Sequence, residues 1–137
     1  MNGLFSGQDT MTNRPQWRLI PFLTASGAMQ MAIDTWLLRD YLPQTGRSTL
    51  RFYDWSATTI SLGCFQKSWP SEWSQLTWQG KPMELVKRPT GGRAVLHQGS
   101  LTYGLVMPRG KRKRQDLYPC ICQFLIQAWQ RLGVELT

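Results

Sequence analysis

The stretch Lys87-Arg88-Pro89-Thr90-Gly91-Gly92-Arg93-Ala94-Val95-Leu96-His97 gathers a glycine pair, two arginines and the chain's only histidine. A Gly-Gly turn lets a ligand approach backbone N–H groups that a side chain would shield. Arginines add fixed positive charge with planar donors. A histidine can donate, accept or move a proton near neutral pH. That set suits an anionic ligand: a carboxylate, a phosphate or an acyl-adenylate. In isolation each part reads more plainly. A glycine pair between strands is a turn, an arginine at a strand end is solvated, and a single histidine is structural.

Working outward, Met83 to Arg88 reads as a strand stopped by Pro89. Ala94 to His97 and Leu101 to Met107 read as a hairpin-like pair around Gln98-Gly99-Ser100. Upstream, Leu50 to Trp55 alternates like a strand, and Thr58 to Leu62 is a second one rich in β-branched residues. Residues 63–82 hold prolines, glycines and tryptophans with little periodicity, so a loop with a short helix near Ser71 to Leu76 is expected. A helix is expected from about Ala25 to Leu42, capped by Thr24 or Ser26 and stopped by Pro43. Its apolar stripe is Met29, Ile33, Trp36 and Leu37, continuing to Asp40. Asp116 to Leu132 is the clearest helix. Leu117, Ile121, Phe124, Leu125, Ala128, Trp129 and Leu132 hold helical spacing and Gly133 ends it. Val134 to Thr137 begins a further strand. The order is helix, strands, glycine loop, strands, helix, strand. It lacks βαβ alternation and favours an α+β fold: a mixed, largely antiparallel sheet with helices packed on one face.

The length of 137 residues implies one domain, able to hide roughly two-thirds of its unfolded surface. Residues 1–15 read as a flexible leader without an apolar signal segment, with Met11 as an alternative start, and 16–137 as the folded part. No apolar run reaches the ~20 residues needed to span a bilayer, so a cytoplasmic protein is expected. Three cysteines give no disulfide framework, and Cys120-x-Cys122 is too close for a zinc pair and reads as helix packing. No metal site is expected. Cys64 lacks a neighbouring base and is not read as a nucleophile. The net charge of +8 favours anionic partners. Much of it lies in Arg109-Gly110-Lys111-Arg112-Lys113-Arg114, read first as a solvated loop and second as a contact for an acidic partner. Nucleic acid fits less well, because no aromatics interleave the basic run.

The segment Arg88-Pro-Thr-Gly-Gly-Arg-Ala-Val-Leu-His97, followed by Leu101-Thr-Tyr103, resembles the signature of the lipoate–protein ligase and octanoyltransferase superfamily, which shares its fold with biotin protein ligases. Gln30-Met31-Ala32-Ile33-Asp34 resembles its first-helix motif, and Ser61-Leu62-Gly63-Cys64-Phe65-Gln66 resembles the Leu-Gly-x-x-Gln that precedes the glycine loop. The resemblance runs from about Trp17 to the C-terminus. It implies acyl transfer, lipoyl or octanoyl, to the lysine of an acidic lipoyl carrier domain. A ligase would use lipoate with ATP and magnesium. An octanoyltransferase would use octanoyl acyl carrier protein and no cofactor. The implied substrate-binding residues are Arg88, Thr90, Gly91, Gly92, Arg93, Ala94 and His97, with His97 also the catalytic candidate.

The chain departs from the family pattern in places. Arg93 stands where the classical ligases have a third glycine, as in the octanoyltransferase-like branch, and Gln98 replaces the acidic residue after the histidine. The family's lysine in a Gly-x-Lys-like segment, and the transferase branch's cysteine, are expected downstream of Thr137. Lys111 and Lys113 lie too early, and Cys120 and Cys122 lie in the wrong element. A truncated enzyme is therefore the first expectation. A non-catalytic acyl- or nucleotide-binding remnant comes second, and a basic nucleic-acid-binding domain third.

Overall fold

A computed structural model describes residues 17–111 and 113–135. The expected leader lies outside the described residues. The chain forms two compact units, one ending at Met107 and the other beginning at Pro108.

The first unit opens with strand β1 (Trp17–Ala25), which the sequence reading leaves unassigned. Its register on the next strand shifts between Ile20 and Leu23. Pro21, which has no N–H for the ladder, sits in that irregularity. Ser26 caps helix α1 (Gly27–Trp36), its hydroxyl accepting from the Met29 amide at 3.3 Å. The helix does not stop before Pro43. It widens into a π turn over Leu37–Tyr41 and continues as α2 (Leu42–Thr45) to a left-handed Gly46. A proline ring clashes with the carbonyl four residues back, here Arg39, and the wider π turn at that position makes room for it. Strand β2 (Ser48–Trp55) then pairs parallel with β1. A βαβ unit therefore opens the fold, contrary to the expected absence of one.

Strand β3 (Thr59–Leu62) follows, then a 3-10 turn at Ser71–Gln75 where a short helix is expected. The stretch expected to be loop also holds a small hairpin, β4 (Thr77–Trp78) and β5 (Lys81–Pro82). Its turn residues Gln79 and Gly80 both have positive φ, the geometry that two-residue hairpin loops favour. Strand β6 (Glu84–Lys87) pairs parallel with β3, and β7 (Val95–His97) pairs antiparallel on its other side. Strand β8 (Thr102–Val106) pairs antiparallel with β2. The architecture is mixed α+β, with three-stranded sheets ordered β1-β2-β8 and β6-β3-β7. The expected β7–β8 hairpin does not form. Each strand finds a central strand in a different sheet, and the left-handed Gly99 lies in the connection between them.

The two central strands, β2 and β3, carry most of the buried apolar residues, Tyr53, Trp55, Ile60 and Leu62, with Met31 and Leu37 from the helical segment. Met31, Tyr53 and Trp55 pack together, with Val86 of β6 against them. The buried face follows the predicted stripe only in part. Leu37, in the π turn, is buried and Ile33 half-buried, but Met29, Trp36 and Asp40 are exposed, and Gly27, Gln30 and Met31 are buried in their place. The reason is a set of buried polar partners described below.

The second unit is helix α3 (Arg114–Arg131) with the exposed turn before it. Leu117, Ile121, Phe124 and Leu125 are half-buried, as the spacing predicts, while Ala128, Trp129 and Leu132 are exposed. Gly133, at φ +79°, closes the helix, with the Val134 amide donating back to Trp129 O. Val134 and Glu135 join no strand, and the rest of the expected final strand lies outside the described residues. No described helix is long and apolar enough to cross a membrane.

Candidate functional site

The glycine loop joins β6 to β7 and folds back over the end of β3. Arg88 organises it. Nη1 donates to Ser61 O at 2.7 Å and to Ser61 Oγ at 3.1 Å. Nη2 donates to Gly91 O at 2.8 Å and to Arg93 O at 2.7 Å. The guanidinium fork thus grips β3 with one nitrogen and the loop with the other, a use of its planar donors that lysine could not reproduce. Gly92 adopts φ +95° at the apex, and a Cβ there would lie 2.9 Å from Arg88 Nη2. The loop is also tied down by the Cys64 amide, which donates to Thr90 O at 2.9 Å.

These bonds orient the loop. The carbonyls of Thr90, Gly91 and Arg93 are turned onto protein donors. The N–H groups of Gly91, Gly92 and Arg93 meet no acceptor recorded among the described residues. Successive backbone N–H groups in a turn can form an anion-binding concavity. The Arg93 and Lys87 side chains are exposed, and Thr90 is exposed beside them. Ala94 is half-buried at the entry to β7.

The Leu-Gly-x-x-Gln segment supplies the floor. Gly63 is buried against the loop, where a Cβ would come 2.0 Å from Gly92 O. Gln66 closes the turn by donating its amide to Gly63 O at 3.0 Å. Phe65 is 83% exposed, and its ring edge lies within van der Waals reach of a Cβ built at Gly91.

His97 stands behind the loop. Its Nε2 is 2.8 Å from Ser61 Oγ and its Nδ1 3.5 Å from Ser100 Oγ. Its ring stacks on Trp55, with centroids 4.1 Å apart and planes at 17°. Trp55 is fixed in turn by its indole N–H, which donates to Thr102 Oγ1 at 2.9 Å. Burial, and next the charge of Arg88, lowers the His97 pKa below its ordinary value.

The first-helix motif serves a second polar cluster. Arg51, on β2, is 2% exposed. Its Nη2 donates to Gln30 Oε1 at 2.6 Å and its Nε lies 3.1 Å from Asp34 Oδ1 as an ion pair. Its guanidinium also lies over the Tyr53 ring, 3.9 Å from the centroid. Tyr53 donates its hydroxyl to Asp34 Oδ2 at 3.1 Å. Gln30 Nε2 donates to Leu23 O and Asp54 O, which staples β1 to β2 from the helix. Burial raises the Asp34 pKa against the opposing pull of Arg51 and the Tyr53 hydrogen bond. Burial and the Asp34 charge raise that of Tyr53. Arg51 and Tyr53 were not singled out by sequence. The available signal was polar Gln30 and Asp34 at i, i+4 in a helix that also carries the apolar Met31, Ile33 and Leu37.

Among the described residues no three of His, Cys, Asp and Glu gather to hold a metal. The arrangement defines an α+β domain whose glycine loop is clamped from inside by Arg88. The family model for the lipoyl protein ligase A/B catalytic domain matches residues 26–137, and the chain belongs to that family. It is 40% identical over 124 residues to octanoyltransferase LipM of Carboxydothermus hydrogenoformans, an alignment covering 87% of this chain and 45% of that protein. It is 32% identical over 123 residues to octanoyltransferase LipM of Bacillus subtilis, covering 87% and 44%. The chain thus spans less than half the length of these relatives. The fold matches a Thermoplasma acidophilum structure solved with bound lipoic acid, with TM-score 0.71 and 22% identity over 88% of this chain and 49% of that one. It also matches lipoate-protein ligase A bound with ATP, with TM-score 0.65 and 20% identity over 88% and 48%.

Proposed function

We propose that this chain supplies the acyl- and anion-binding part of an enzyme that transfers an octanoyl or lipoyl group to the lysine of a lipoyl carrier domain. The observation that carries this reading is the loop whose carbonyls are held by Arg88 and Cys64 while its amides stay unpaired among the described residues. Acyl transfer develops negative charge on a carbonyl or phosphate oxygen, and preorganised amides stabilise it without reorganising. Gly91, Gly92 and Arg93 would donate to that oxygen. Arg93 and Lys87 would add charge, and Thr90 and Ala94 would border the site. Arg88 and His97 would act from behind the loop.

The names of the relatives favour the transferase branch, in which octanoyl acyl carrier protein is the donor and no cofactor is used. In the ligase branch, ATP would activate lipoate, and magnesium would be bound with the phosphates. The loop amides fit a phosphate. We assign no residue to magnesium. The acceptor is an acidic lipoyl domain, which suits a net charge of +8, and the reaction belongs to the cytoplasm. A binding role without catalysis is the second reading, favoured because both ring nitrogens of His97 face serine hydroxyls.

The test mixes the purified chain with octanoyl acyl carrier protein and an apo lipoyl domain, read by mass spectrometry, beside a binding isotherm for an octanoyl-adenylate analogue. Analogue binding supports the acyl site in either reading, and modification of the lipoyl domain by this chain excludes the second reading. Absence of both binding and modification rejects both readings.

A further inference from the structure

The Ser61–His97–Arg88 cluster has a proton arrangement that follows from donor chemistry. Arg88 has no acceptor, so Ser61 Oγ accepts from Nη1. Ser61 is 1% exposed, and its own hydroxyl hydrogen needs a partner. Nε2 of His97, 2.8 Å away, is the acceptor recorded there. That places the ring proton on Nδ1, facing Ser100 Oγ. A second proton, on Nε2, would make Ser61 Oγ accept from two cations at once and strand its own hydrogen.

The geometry points to His97 as a positioning residue that, as the neutral ring, keeps Ser61 and Arg88 locked together and so keeps the glycine loop docked on β3. The inference rests on reading that loop as the acyl site, although its test needs no ligand. The chain of contacts is continuous. His97 holds Ser61, and Ser61 shares Nη1 of Arg88 through both its hydroxyl and its carbonyl. Nη2 of the same guanidinium holds Gly91 O and Arg93 O. The ring also joins the two sheets, because it stacks on Trp55 of β2 while bonding Ser61 of β3. Protonation would place a second positive charge beside Arg88. Glu84 lies in register with His97 across Thr59. Its carboxylate accepts from the Gly27 amide. From β2, the β7–β8 connection and β3, the ring meets only Trp55, Ser100 and Ser61 among the recorded contacts.

The only histidine in the sequence gives a single imidazole signal, so the test is a pH titration of the isotopically labelled 137-residue chain. The amide signals of Gly91, Gly92 and Cys64 should move with the same midpoint as the imidazole of His97, while amides of the β2–β8 pairing stay fixed. H97Q keeps an acceptor for Ser61 without a titrating charge. It should abolish the co-titration and leave Cys64 amide exchange near the wild-type rate. H97F keeps the stack on Trp55 but removes the acceptor. It should speed Cys64 exchange about five- to tenfold relative to β2 amides, the value of one lost hydrogen bond. Loop signals that ignore the His97 titration would overturn the proposal. So would H97Q loosening the loop as much as H97F. If H97F does not fold, the wild-type titration and H97Q decide. A loop that titrates as described but binds no acyl analogue refutes the proposed function and leaves the positioning role standing.

Discussion

Gly63 and Gly92 meet so closely that a methyl group on Gly63 would lie 2.0 Å from the Gly92 carbonyl oxygen. One glycine directly follows β3 and the other lies at the loop apex, so the contact seats the loop. Gly63→Ala must push backbone against backbone, and overpacking of this kind costs about 1–3 kcal/mol. Gly92→Val adds strain at φ +95° and crowds Arg88 Nη2. Urea unfolding should show both losses, and acyl-analogue binding should fall with them. A fully stable Gly63→Ala protein would mean that the loop does not rest on β3.

Arg51 should be the costliest single truncation in the first unit. Its removal leaves the half-buried Asp34 beside Tyr53 without its cation, and breaking a fully buried pair typically costs about 3–5 kcal/mol, an upper bound here. Arg51→Ala is expected to unfold at much lower denaturant than wild type. Adding Asp34→Asn to it should recover part of the loss, because the stranded charge is gone. If the double variant is less stable than Arg51→Ala by the full cost of Asp34→Asn alone, the two residues are not coupled.

Tyr53→Phe removes the hydroxyl that donates to Asp34 Oδ2. Hydrogen bonds to a charged group contribute about 1.5–3 kcal/mol. That loss should appear in thermal or chemical unfolding. The Asp34 pKa, already raised by burial, should rise further because one of its two opposing influences is lost. An unchanged Asp34 titration by NMR would contradict the contact.

Stability should depend on pH through His97. Its folded pKa is lowered and its unfolded value is about 6.5. The unfolded state therefore binds more protons between the two. The contribution is fully present above 6.5 and is lost as pH falls from 6.5 towards the folded pKa. Unfolding midpoints should drop across that window in wild type and stay flatter in H97Q. Equal slopes in the two proteins would show that the ring is not held neutral.

The segments whose structure is local are legible in the sequence. Helix α3 is written in its spacing and in Gly133, the strand ends are marked by Pro89 and the glycine pair, and three ordered motifs point to the family. Tertiary structure alone decided the rest. Strand β1 has no strong alternation of its own, and it becomes a strand by pairing with β2 across the helix. β7 and β8 look like a hairpin because they are neighbours in sequence, yet each is claimed by a more distant central strand. Backbone pairing carries no local signature of its partner. Gln30, Asp34 and Arg51 read as surface residues in any hydropathy pattern, because a buried polar group costs little only when its partners are in place, and those partners come from other elements. For the same reason Arg88 reads as a ligand-facing charge in sequence and is, in the fold, a clamp on its own loop.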